Sequence, residues 1–316
     1  MKMQALGVTV LYPEVPALNR SENQGNILVL KRIGDFVYIS RQAMRYYLWN
    51  TLKTSFGWKE TKVNSESGVV QFSIEEITEE LLSFGFMVAK KDSKRKKDQA
   101  ESDKGSSQKG IQITRKAAVS MTDGEFLNRY LGEISFNANH DLVRRAGDAD
   151  PAPYQKEEHR GILRWSVVID VDRLFNIEDK WRDVLKQEQI AQINDTFVNK
   201  IVNDILTAIQ EGIIYHVGGK NEPLTPIATF VYKVSIPSPL LHNVAYAKLE
   251  AGDKYTVNLD EVEEFASKNI YFGDYTQNLR VRLHPKVVNR KSNPPVYTNN
   301  RIQVKINSKD GVVEFE

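Results

Sequence analysis

Two arginines one helical turn apart, in the run Ser40-Arg41-Gln42-Ala43-Met44-Arg45, offer the clearest binding chemistry in the sequence. Met44, Tyr47, Leu48, Thr51 and Leu52 recur at helical spacing, which predicts a helix from Ser40 to about Phe56 with Ser40 at its N-cap. A helix start carries roughly half a positive charge on unpaired N–H groups, so first turns favour Asp or Glu. Arg41 at that place costs about 0.3–1 kcal/mol at low salt, and Arg45, four residues on, adds weak repulsion. Backbone N–H groups, the Ser40 hydroxyl, the Gln42 amide and two guanidiniums together suit a phosphate. The same arginines could equally pair with acids elsewhere in the fold or stand in solvent. Upstream, Leu18–Gly25 reads as a polar loop, in which Asn19, Arg20, Asn23 and Gln24, with Asn26 just beyond, supply further donors. Glu22 counts against a purely anionic ligand.

A second phosphate candidate is Gly218-Gly219-Lys220. Two glycines permit close backbone approach, and their N–H groups with a lysine can hold a phosphate. The first glycine and the Ser or Thr of a Walker A loop are absent, and a plain turn is the commoner use. Catalytic alternatives are thinner. Asp35 follows Gly34, and that pair is also a two-residue hairpin signal. Asp170 and Asp172 flank Val171 in an expected strand and would share a face, where they could hold Mg²⁺ or salt-bridge to Arg173. The histidines, His140, His159, His216, His242 and His284, show no HExxH spacing. Neither a G-x-S-x-G elbow nor a G-x-G-x-x-G fingerprint occurs. With no cysteine, disulfide scaffolds, thiolate zinc sites and cysteine nucleophiles are excluded. Tyr46 and Trp49, at the edge of the helix stripe, could stack on bases or serve the core.

These residues need elements to position them. Ala5–Tyr12 alternates Leu6, Val8, Val10 and Tyr12 on one face, as a strand does. Ile27–Ile33 and Phe36–Ile39 read as strands joined at Gly34-Asp35. Ile111–Met121 and Gly161–Val171 read as further strands, then a helix from about Gln189 to Glu211 stopped by Gly212. A strand at Ile227–Val234 and a closing hairpin of Ile302–Ile306 with Val312–Phe315 complete the order. Lys90–Gly110 has no apolar residue larger than alanine, so it predicts a mobile basic loop. The 316 residues carry 43 Lys and Arg against 41 Asp and Glu, a net charge of +2, too mild to announce a polyanion partner by itself. No run reaches the roughly 20 apolar residues of a membrane span, and the first residues lack a signal-peptide pattern; the expectation is a cytoplasmic protein without a membrane partner.

Leu18–Asn26 followed by Ser40–Leu52 resembles the opening of the CRISPR Cascade backbone subunit family in its DevR-type, type I-B-like branch. Ser135–Gly147, ending in Arg144-Arg145-Ala146-Gly147, resembles a later family segment. Pro153–Phe175, with His159 and Arg160 before its strand, resembles the family's core strand, and Val217–Pro226 its glycine-rich loop. The order matches over about residues 5–240 and weakens beyond Pro237. The resemblance implies an α+β fold, a ferredoxin-like or RRM-like palm with large inserted finger and thumb segments. It places the whole chain, 1–316, in one such domain. A finger-type insertion would cover about 57–160, including the 90–110 loop, and a second, thumb-like insertion about 236–300. It further implies a non-catalytic subunit with no cofactor and no metal. Such a subunit polymerises head-to-tail along crRNA, holds its sugar-phosphate backbone, and leaves its bases to pair with target DNA alongside other Cascade subunits. The implied RNA contacts are Asn19, Arg20, Ser40, Arg41, Gln42, Arg45, Arg144, Arg145, His159, Arg160, Gly218, Gly219 and Lys220. Two alternatives stay open: a metal-dependent RNA-cleaving subunit of a type III-like complex using Asp35, and a DNA-binding transcriptional regulator.

Overall fold

The computed structural model describes residues 4–65, 69–90, 111–147, 150, 153–217, 219–292 and 296–316. The expected basic loop and Gly218 therefore lie outside the described residues. The fold is mixed α+β. Its spine is β1 (Ala5–Pro16), longer than the alternation predicts. The register shifts between Tyr12 and Glu14, around Pro13, which has no N–H for the ladder. Leu6, Val8, Val10 and Tyr12 enter one core while Ala5 and Leu11 enter another, so β1 is covered on both faces.

Three more long strands complete the centre: β2 (Gly124–Arg129), β3 (Arg160–Ile169) and β4 (Ala228–Val234). They lie in the order β4-β1-β3-β2, each antiparallel to its neighbour. Phe36–Ile39 and Arg32–Ile33 extend the sheet beyond β2, and Leu279–Leu283 and Tyr297–Thr298 extend it beyond β4. Close strand contact needs Gly7, because a Cβ there would meet the Tyr232 ring at 2.0 Å.

Helices α1 (Arg41–Phe56) and α2 (Asp195–Glu211) pack on the first face. The buried residues of α1 are the expected stripe Met44, Tyr47, Leu48, Thr51 and Leu52. The helix expected from Gln189 starts later, because the Asn194 side chain accepts the Phe197 N–H at 3.0 Å and caps a new start. The closing hairpin forms from Val304–Asn307 and Val312–Phe315. Its docking on α2 uses side-chain amides. Asn203 accepts the Val304 N–H at 3.0 Å and donates to its carbonyl at 2.8 Å, and Asn199 and Gln210 treat Ile306 and Ile302 the same way.

Two expected strands and one expected loop turn out differently. Ile111–Met121 breaks into Ile111–Arg115 and Val119–Met121. β3 stops at Ile169, because Asp170 accepts the Arg173 N–H at 3.2 Å and caps the short helix Val171–Phe175. Asp170 and Asp172 therefore do not share a strand face. Arg20–Gln24, expected as loop, is a strand paired to Ile27–Leu30 across a turn in which Gly25 adopts φ 62°. Residues 236–292 and 296–300 include the helix Leu259–Lys268 and the strand Leu279–Leu283. Leu241, Val257, Val262 and Phe272 pack with Phe230 and Tyr232 on the second face of the sheet.

Candidate nucleic-acid interface

The end of β1 is fixed by one tyrosine. The Tyr215 hydroxyl donates to the Pro16 carbonyl and accepts the Leu18 N–H, both at 2.8 Å. Tyr215 belongs to the hairpin Ile213–Val217/Lys220–Leu224, and its ring meets the Tyr47 ring of α1 edge-on at 5.0 Å. β1's exit, the second turn of α1 and the hairpin are thereby held together. Burial pushes the Tyr215 hydroxyl well above its usual pKa, so it stays a neutral donor and acceptor.

The helix start is capped from elsewhere in the chain. Ser40 stands at the N-cap without a side-chain cap bond. Its N–H donates instead to Asn19 Oδ1 at 2.9 Å, and the Arg41 N–H donates to Asp123 Oδ1 at 2.5 Å. The anion that the sequence lacks in the first turn is thus partly supplied by Asp123. The Arg41 and Gln42 side chains are exposed, and Arg41 forms no ion pair among the described residues. Arg45 is more committed: its guanidinium lies 4.9 Å from the Phe84 ring centre. Its pKa is lowered, by burial first and by Arg41 also, with Glu80 opposing.

Arg20 donates to the Glu157 carbonyl. Burial lowers its pKa, while Glu158 and Glu157 oppose that. The Glu157 carboxylate accepts the Leu30 N–H at 2.8 Å and pairs with Arg32 at 3.0 Å. These bonds knit a second sheet, in the order Glu133–Asn137, Tyr154–Glu158, Ile27–Leu30 and Arg20–Gln24. Arg160 donates to the Glu14 carbonyl at 3.0 Å and pairs with Glu222 at 3.4 Å, clipping the hairpin to β1. Gly219 is exposed, with open space where a Cβ would stand. Burial acts to raise the Glu158 pKa, but Lys156, Ser135 and, to a lesser degree, the Lys220 charge lower it, so its net shift is downward.

Three expected contacts have packing or ion-pair partners of their own. His159 is 7% exposed, edge-on to Phe126 at 5.0 Å. Burial lowers its pKa, against Glu133, so it is a neutral packing residue. Arg144 and Arg145, on the short helix His140–Ala146, both pair with Asp141, at 2.8 and 2.6 Å. Asp35 forms the hairpin turn with Gly34 at φ 59°, and its carbonyl accepts the Tyr130 N–H at 2.8 Å. Among the described residues, no group of three or more His, Asp or Glu side chains is placed to hold a metal ion. Asp123 and Tyr215 are the positioning residues the sequence did not disclose. Nothing local marks either one, since the bond from Arg41 to Asp123 spans 82 positions.

The family model "CRISPR-associated negative auto-regulator DevR/Csa2" matches residues 8–251. The chain belongs to the DevR/Csa2 family. Every residue of the group at α1 and the hairpin falls inside the matched span. No curated protein matches. A chain from a solved "CRISPR RNA-guided surveillance complex, pre-nicking" aligns with a TM-score of 0.56 at 10% identity, covering 94% of this chain and 96% of that one. At that identity the likeness establishes a shared fold. A chain from another "CRISPR RNA-guided surveillance complex" aligns at 0.47 and 9% identity, covering 94% and 95%, too low to carry an argument. No helix among the described residues is long and apolar enough to cross a membrane.

Proposed function

We propose that this protein is a non-catalytic backbone subunit of a type I CRISPR surveillance complex, gripping crRNA through phosphates and riboses. The observation that carries the reading is Arg41, without an ion pair among the described residues and beside Gln42, at a helix start that Asn19 ties to β1's exit, where the hairpin's Tyr215 bonds Leu18. Helix N–H groups, a free guanidinium and a lysine hold phosphate without reading sequence. Guide sequences vary, so a backbone grip leaves base edges free to pair with target DNA. We read the order β4-β1-β3-β2 with α1 and α2 on one face as a ferredoxin-like, RRM-like palm. The finger-type insertion of about 57–160 is then interrupted by the palm strand β2, and about 236–300 is a thumb-like insertion. Further copies would stack head-to-tail, since a heterologous contact need not close, with other Cascade subunits at the ends.

The test is binding of labelled single-stranded RNA across a salt series. Arg41→Ala with Lys220→Ala should flatten the log–log slope by about 1.4, or ~0.7 per lost phosphate. Unchanged slope and affinity would remove the site. The family description favours one second reading, a regulator that binds duplex DNA. Competition decides it, because duplex that displaces RNA at equal concentration supports the regulator. Cleavage of the RNA with Mg²⁺ that disappears in Asp35→Ala would replace the non-catalytic reading with a ribonuclease.

A further inference from the structure

The matched span ends at residue 251, before a run of cations at the far side of the sheet. Leu279–Leu283 pairs with β4, and the chain continues through His284 and Lys286 to Arg290. Ile227, which leads from the hairpin into β4, ties this run to β1. Its N–H donates to the Leu11 carbonyl at 2.8 Å, and its carbonyl accepts the His284 N–H at 2.9 Å. Tyr255 makes a second tie. Its N–H donates to the Lys286 carbonyl at 2.9 Å, and its hydroxyl accepts the Glu14 N–H at 3.5 Å. The Glu14 carbonyl in turn accepts Arg160 at 3.0 Å. The run therefore borders the end of the sheet from which β1 leaves toward Asn19.

The cations there are poorly compensated. Arg282 and Arg301 share one carboxylate, Glu211, at 3.0 and 3.2 Å. Lys286 and Arg290 are exposed and form no ion pair among the described residues, and Arg290 donates to Asn299 Oδ1 at 2.5 Å. The acids nearby are held by other groups or pair with none of the four: Asp260 and Glu263 hold Lys291 at 2.5 and 3.0 Å, and Glu14 and Asp253 face Tyr255. The excess positive field registers at His284, whose pKa is lowered by burial first and then by Lys286, Arg282 and Arg290.

We propose that Lys286 and Arg290, backed by Arg282 and Arg301, form a second phosphate-binding patch for single-stranded RNA, extending the grip made at α1 and the hairpin. This rests on the RNA-binding reading above. Two exposed cations without an ion pair among the described residues, beside two that share one carboxylate, fit an extended polyanion better than a single small anion.

The test uses the full chain with a fluorescent oligo-uridine strand and anisotropy over a salt series. Lys286→Gln with Arg290→Gln changes two exposed side chains, and a melting curve checks that the fold is kept. The slope should fall by about 1.4, which is roughly 25-fold weaker binding at 0.1 M salt if the two lines meet at 1 M. Arg41→Ala runs in parallel. If Arg41→Ala flattens the slope and the double variant does not, the patch is overturned and the first grip stands. If neither variant changes it, both readings fall. As a second readout, RNA should raise the His284 pKa seen by NMR, because phosphates offset the surrounding cations. An unmoved His284 titration at saturating RNA would overturn contact at the patch.

Discussion

Asp123 both stabilises α1 and opposes the ligand proposed for it, so Asp123→Asn should separate the two effects. The carboxylate accepts the Arg41 N–H at 2.5 Å. Asparagine keeps an acceptor of the same size and removes the charge. A hydrogen bond to a charged group contributes about 1.5–3 kcal/mol and a neutral one about 0.5–1.5, so the loss is about 1 kcal/mol. The interaction of a carboxylate with a helix start, about 0.3–1 kcal/mol, is the same energy viewed another way and is not added. The melting temperature should fall by about 2–4 °C. A phosphate on Arg41 would sit about 8 Å from that carboxylate, where repulsion in water is about 0.5 kcal/mol. RNA binding at low salt should therefore tighten about twofold while the fold loosens. Thermal melting and anisotropy on the same preparation read both. Weaker RNA binding with an unchanged melting temperature would refute the reasoning, because Asp123 would then be helping to hold the ligand.

Asn203→Ala removes an acceptor and a donor that close on Val304, and should cost about 1–3 kcal/mol in denaturant unfolding, with faster amide exchange in Val304–Asn307. Exchange unchanged there would mean the hairpin is held by apolar packing alone. Glu125 gives a pH dependence. His242 most of all, and Arg164, lower its pKa from 4.5 to about 2 against the upward effect of burial. Its folded pKa is lowered, so its contribution is present above about pH 4.5 and is lost as pH falls toward 2. Glu125→Gln should flatten that limb of the stability profile, and an identical acid limb in wild type and variant would remove the assignment.

What could be read from the sequence was local. The α1 stripe depends on spacing over a few turns, and Met44, Tyr47, Leu48, Thr51 and Leu52 are buried as the period requires. The start of β1 and the closing hairpin follow from alternation in the same way. What escaped was set by long-range pairing. Arg20–Gln24 is entirely polar and becomes a strand only because Ile27–Leu30 returns beside it. Asn194 and Asp170 compete with helix and strand through their own side chains, a choice that apolar periodicity does not register. At the site, the sequence leaves open whether a ligand or an acid of the chain answers the positive helix start at Arg41. It does not disclose that Asp123 answers it in part. His159 lay in the right segment, but ring contacts with Phe126 and Tyr130 take it into the packing. The stretch from Arg282 to Arg301 holds no Asp or Glu, but only the fold shows which of its cations find acids elsewhere: Arg282 and Arg301 share Glu211, and Lys291 takes Asp260 and Glu263.

Native mass spectrometry of the purified chain with unstructured RNAs of graded length and unrelated sequence tests the central claim most directly. A backbone grip repeated along the strand predicts that bound copies increase by whole steps as the RNA lengthens, equally for every sequence, with the RNA intact. A single bound copy at every length, or occupancy that follows sequence instead of length, would contradict it.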